Sequence, residues 1–285
     1  LADSASQSVP AYTALAVALL LALFAVLFGT RHIDATEHNE GMILAIAFDS
    51  IVKLIAFIAV GAMITWGMFG GFADLAGRVA SEPSLQHIFL NGVDGTGWVT
   101  MTGLATAAIL CLPRQFHVTV VENTDLRDLY KAAWLFPLYL VAINIFVIPI
   151  AIAGLSTFPS GTDGDMFVLA LPIAGHHEMF AVLAFIGGLS AATGMVIVSS
   201  VAVSNMVSNN LVMPLVLHRR RLGLAKRGDM GRLILRIRRV AIFAILMLGF
   251  CCYLLIADSL TLASIGLLSF AAVAQFAPPL LGGLL

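Results

Sequence analysis

The residues of this chain best able to do chemistry are polar side chains set inside long apolar stretches. Asp49 and Lys53 stand four residues apart within 41–70. On a helix they share a face, where a carboxylate and an ammonium can neutralise each other as an intramembrane ion pair. The pair reads either as a self-neutralised structural contact or as part of an ion or proton pathway. Ser190 and Thr193 lie three apart in a run of Gly, Ala and Ser, which puts two hydroxyls on one helical face. Hydroxyl and carbonyl oxygens are what a hard cation such as sodium takes as ligands. The same small residues also let helices pack closely.

A second group surrounds Pro113, in the run Cys111-Leu112-Pro113-Arg114-Gln115-Phe116-His117. A proline removes a backbone donor and frees a carbonyl one turn earlier. Broken helices in transporters expose such groups to substrate or ion. Gln115 and His117 then supply polar partners and Phe116 an aromatic wall; the bland alternative is a plain helix end. Gln275, followed by Phe276, Ala277 and the pair Pro278-Pro279, is an interhelical hydrogen-bond donor or a pathway residue. His176-His177-Glu178 has the composition of a metal site, but adjacent helical residues point in different directions. Cys111, Cys251 and Cys252 sit in apolar runs and read as small buried hydrophobes, with neither a disulfide nor a zinc spacing.

The elements that position these residues are set by composition. Of 285 residues 60% are hydrophobic and 11% charged, with mean hydropathy +1.00. Soluble domains carry about 25% charged residues. The fold class expected is therefore an all-α integral membrane protein, a single transmembrane domain over 1–285. A span needs about 20 apolar residues. Seven stretches qualify: 11–29, 41–70, 97–112, 132–158, 179–207, 240–257 and 260–285. The apolar piece 166–174 is too short and reads as re-entrant or interfacial. The start at Leu1 and the apolar end at Leu285 suggest a fragment.

Basic residues orient the spans. With the N-terminus outside, the inner segments hold Arg31, Arg114, Arg127, Lys131 and nine Lys/Arg in the basic loop 218–239. The outer segments hold only Arg78, a split of thirteen to one, while Asp74, Glu82, Asp94, Asp163 and Asp165 make the outer face acidic. The basic loop is a topology anchor against anionic headgroups; beside two spans it is no nucleic-acid site.

The order of these features resembles the sodium/solute symporter family, which includes the sodium/proline symporters. Phe28-Gly29-Thr30, Pro113-Arg114-Gln115-Phe116-His117, the small-residue helix 188–200 and Ala274-Gln275-Phe276-Ala277-Pro278 carry the resemblance. The phrases Gly29-Thr30-Arg31-His32 and Trp134-Leu135-Phe136-Pro137 are similar to a branch fused to bacterial sensor histidine kinases. The resemblance implies a five-plus-five inverted repeat, of which this chain holds core helices four to ten, in a bacterial inner membrane. It implies sodium-coupled transport of a small organic solute, such as an amino acid, by alternating access, with no organic cofactor. Pro113, Gln115, Phe116, His117 and Gln275 would contact the solute, and Ser190, Ala191 and Thr193 the sodium ion. The family's paired hydroxyls are incomplete, since Ala191 follows Ser190, which predicts weak sodium dependence. The other function in view is a solute-sensing input domain, with a C-terminal kinase and a response regulator as partners.

Overall fold

A computed structural model describes residues 11–29, 40–89, 95–121, 123, 125–159, 161–218, 230–256 and 261–283. Thr30-Arg31-His32, most of the basic loop (219–229) and residues 257–260 lie outside that set. Every regular element among the described residues is helical. In chain order they are α1 (Ala11–Gly29), α2 (Glu40–Ala62) running into a π-helical turn (Met63–Met68), α3 (Phe72–Ser81) and α4 (Pro83–Phe89). Next come α5 (Gly95–Cys111), α6 (Pro113–Phe116) with a π-helical turn (His117–Val121), α7 (Leu126–Asn144) and α8 (Val147–Thr157). A 3-10 turn (Gly164–Met166) leads into α9 (Phe167–Ala174), followed by α10 (Glu178–Met206) and a third π-helical turn (Val207–Val212). The chain ends through α11 (Met213–His218), α12 (Met230–Ile256), α13 (Leu262–Ala274) and α14 (Ala277–Gly282).

Among the described residues five helical stretches are long and apolar enough to cross a membrane: Ile43–Met68, Arg127–Thr157, Glu178–Leu215, Leu233–Ile256 and Leu262–Gly282. Gly95–Cys111 and Pro113–Val121, bent by 49° at Leu112, make a sixth if they form one broken span. Ala11–Leu27 in α1 is a shorter apolar helix, so the described residues show five or six of the seven expected spans. Leu44, Phe48, Leu138, Val182 and Leu255 are among the many large apolar side chains left exposed on these stretches. Water would penalise that surface; lipid does not. The chain is a multi-pass membrane protein.

The basic segment differs from the expected loop through Arg239. Helix α12 starts at Met230, so the arginines from Arg232 onward ride on the first turns of a span. The segment 70–96 is also more than a loop. Gly71 takes φ +95°, a left-handed conformation open to glycine at no steric cost, and turns the chain from the π-helical end of α2 into α3.

The described residues divide into two compact units. In the first (Leu1–Ile46, Ile109–Glu122, Ala192–Leu260), α1 packs along α12, and α12 packs against the π-helical turn Val207–Val212. Ala22 and Ala25 on α1 and Ile242 on α12 are buried. In the second (Ala47–Ala108, Asn123–Ala191, Thr261–Leu285), α8 packs against α3, α9 and the turn Met63–Met68. Val60, Ile64, Leu75, Leu85, Phe146, Ile150, Phe167 and Leu171 form its core. Glycines set how closely these helices approach: a Cβ on Gly61 would enter the Phe146 side chain, and one on Gly154 the Phe167 ring.

Prolines place the breaks. Pro149 cannot donate to the carbonyl of Ile145, and α7 gives way to α8 at Ile145–Phe146. Pro279 likewise cannot donate to Gln275, and α13 gives way to α14 at Gln275–Phe276.

Candidate functional site

The candidate site lies in the second unit, where three helices bring polar groups together. Asp49 stands six residues inside the apolar stretch that begins at Ile43, roughly 9 Å along the helix axis. Ser190 stands twelve residues inside the stretch that begins at Glu178, roughly 18 Å along its axis. The Ser190 hydroxyl donates to Asp49 Oδ1. Both side chains are half-buried.

The approach depends on a glycine one turn before Ser190. A Cβ on Gly187 would sit 2.6 Å from Ala56 Cβ and 3.9 Å from Lys53 Cα. Only a residue without a side chain lets α10 come this close to α2. Gly188 has open space around it, so the first glycine of the pair makes the contact. From α7, the Tyr139 hydroxyl reaches the carbonyl of Ser50 at 3.4 Å, a long bond that ties a third helix to the residue beside Asp49.

The expected Asp49–Lys53 ion pair is not among the contacts of the described residues: Asp49 takes its hydrogen bond from Ser190, and Lys53 makes no ion pair. An i,i+4 spacing permits a pair without requiring one. The position of α10 gives the carboxylate a different partner.

Ala191 follows Ser190 with its methyl half-buried and supplies no side-chain oxygen. Thr193 is half-buried on the same helix but belongs to the first unit.

The Pro113 run folds as a break. Leu112 is extended at φ −63° and ψ 122°, and Pro113 takes the first position of α6, where its missing N–H costs nothing. The Phe116 N–H bonds to Leu112 O at 2.9 Å, restarting the helix. His117 is 6% exposed and opens the π-helical turn; Gln115 is half-buried, and Phe116 is exposed. Pro113, Gln115, Phe116 and His117 all belong to the first unit. Gln275 belongs to the second, exposed at the break between α13 and α14. His176 takes φ 58° in the turn that joins α9 to α10, and no three His, Cys, Asp or Glu side chains gather as a metal cluster among the described residues.

A carboxylate beside a hydroxyl in an apolar layer can do one of two things. It can hold a cation with oxygen ligands, or it can take up a proton and become neutral. Sequence reasoning found both residues but placed them in separate groups. The signal available was only that both are polar at depth; no spacing rule links positions 141 residues apart.

Comparison of the chain with family models, with curated proteins and with solved structures gives no match.

Proposed function

We propose that this chain is part of a secondary transporter that moves a small organic solute, such as an amino acid, with sodium across a bacterial inner membrane by alternating access. The observation that carries the reading is the meeting of Asp49 and Ser190 at membrane depth. An intramembrane carboxylate is costly unless neutralised, and a sodium ion held between the carboxylate and the hydroxyl oxygens neutralises it. Thr193 and Ala191 remain the expected neighbours of that ion on α10, and Pro113, Gln115, Phe116, His117 and Gln275 the expected solute contacts. Three helix breaks, at Leu112, Ile145–Phe146 and Gln275–Phe276, support a transporter, because broken helices present backbone carbonyls to ions and substrates. The five-plus-five inverted repeat, with seven spans in this chain, belongs to the same proposal and rests on the sequence resemblance.

The test is uptake of a labelled amino-acid panel into vesicles containing the purified chain, with and without an inward sodium gradient. Accumulation driven by the gradient and abolished by Asp49→Asn supports the reading. Accumulation that ignores both sodium and Asp49→Asn overturns it. Solute binding without accumulation moves the assignment to a sensing domain.

A further inference from the structure

The first unit holds a groove of about 370 Å³ lined by Val207, Val212, Arg236, Ile237, Val240, Ala241 and Ala244. Its α12 wall is the stripe Ile237, Val240, Ala241 and Ala244, spaced i, i+3, i+4, i+7 and so continuous along one helix face. Arg236 and Arg238 immediately flank Ile237. At about 100° per residue they stand on opposite edges of that stripe.

The two arginines are in different states. Arg236 is exposed and lines the groove. Arg238 is 8% exposed, and its Nε, cut off from solvent, has no hydrogen-bond partner among the described residues. A guanidinium cannot shed its proton, so a buried one without a counter-charge is costly. In the turn that supplies the other wall, Ser208 is fully buried and its Oγ also has no partner among the described residues. From Val240 to Ile256 α12 carries no charge, about 25 Å of helix. That length places the arginines at the headgroup level of one leaflet and the groove just inside it.

We propose that this groove binds an anionic phospholipid, its phosphate held by Arg236 at the groove's edge and an acyl chain laid along Ile237, Val240, Ala241 and Ala244, with the buried charge of Arg238 on the far edge of the stripe adding to the attraction. Charge complementarity selects the occupant: an apolar groove with one exposed arginine in its wall and a second, buried one beside it suits a molecule with one anionic end and one apolar tail. A free anion would leave the apolar wall uncovered, and a zwitterionic lipid would bring its own ammonium to the arginines. The site belongs to the first unit and does not depend on the proposed transport activity.

The experiment uses the purified chain in detergent micelles, with lipid retention read by native mass spectrometry. Phosphatidylglycerol is compared with phosphatidylcholine of the same acyl chains, and inorganic phosphate is the lipid-free arm. Phosphatidylglycerol should stay bound at detergent concentrations that strip phosphatidylcholine. Arg236→Gln should weaken its retention about five-fold, the effect of one surface cation on an anionic lipid. Ala244→Phe, which fills the groove without touching a charge, should weaken it at least as much. Arg236 is exposed, so its variant tests the site even if Arg238→Gln fails to fold. Equal retention of the two lipids overturns the proposal, as does displacement of phosphatidylglycerol by millimolar inorganic phosphate. Either variant holding phosphatidylglycerol as tightly as the unaltered chain also overturns it.

Discussion

Ser190 on α10 donates its hydroxyl to the carboxylate of Asp49 on α2, 141 residues earlier in the chain. The contact gives a carboxylate at membrane depth a partner on another helix instead of on its own. It also joins a candidate ion ligand to a group that can carry the compensating charge.

The first prediction separates these partners. In a double-mutant cycle on thermal stability in detergent, Asp49→Ala with Ser190→Ala should show a coupling of about 1 kcal/mol, as for one side-chain hydrogen bond. Asp49→Ala with Lys53→Ala should be close to additive. A larger coupling to Lys53 would mean that the i,i+4 ion pair forms after all.

The proposed sodium dependence is tested at the same contact. Ser190→Ala should raise the sodium concentration for half-maximal uptake about five-fold, the loss of roughly 1 kcal/mol of ligand interaction, with little change in solute binding at saturating sodium. Ser200→Ala is the control. Ser200 is buried and bonds its own helix at Val196 O, 2.6 Å away, so its loss should leave the sodium response alone. An unchanged response in Ser190→Ala would reduce the hydroxyl to a packing role.

The glycine pair offers a steric test. Gly187→Val puts side-chain atoms where Ala56 Cβ already lies 2.6 Å from an ideal Cβ and should destabilise the chain by roughly 1–3 kcal/mol. Gly188→Ala has open space and should be nearly silent. Combining Gly187→Ala with Ala56→Gly should restore most of what Gly187→Ala alone loses. Thermal unfolding of the four variants decides the matter, and equal effects at Gly187 and Gly188 would rule out the close approach.

Pro113→Ala restores a backbone donor at the 49° bend after α5. Uptake by the proposed transporter should fall at least ten-fold while thermal stability changes little, because Pro113 at the first position of α6 leaves no helical donor missing but holds Leu112 extended, which keeps the helix broken. Uptake at the original level would make the bend a plain helix end.

Sidedness comes from the thirteen-to-one distribution of Lys and Arg. Ser84→Cys should react with an impermeant thiol reagent added outside intact cells, and Ala225→Cys only after the membrane is opened. Labelling of Ala225→Cys from outside would invert the orientation.

The sequence by itself determined that the chain is helical and membrane-embedded. An apolar run of about 20 residues must satisfy its backbone internally in lipid, and a single helix does so using only its own residues. Proline chemistry is equally local, so a break at Pro113 was expected from residue type, although Pro137 and Pro172 sit inside α7 and α9 without one. The prolines at 149 and 279 followed the same rule, and their breaks fall at Ile145–Phe146 and Gln275–Phe276. Local signals misled where an apolar run met charge. The arginines before Val240 looked like loop because they are charged, yet α12 begins at Met230, since arginine is a good helix former and its long side chain reaches the headgroups. The tertiary structure alone decided which polar groups meet. Asp49 had a sequence neighbour of opposite charge at helical spacing and took a hydroxyl from α10 instead, because Gly187 lets that helix approach. Periodicity says which residues share a face of one helix; which face of another helix it meets is fixed by small residues and close packing across hundreds of atoms, and no spacing within the chain records it.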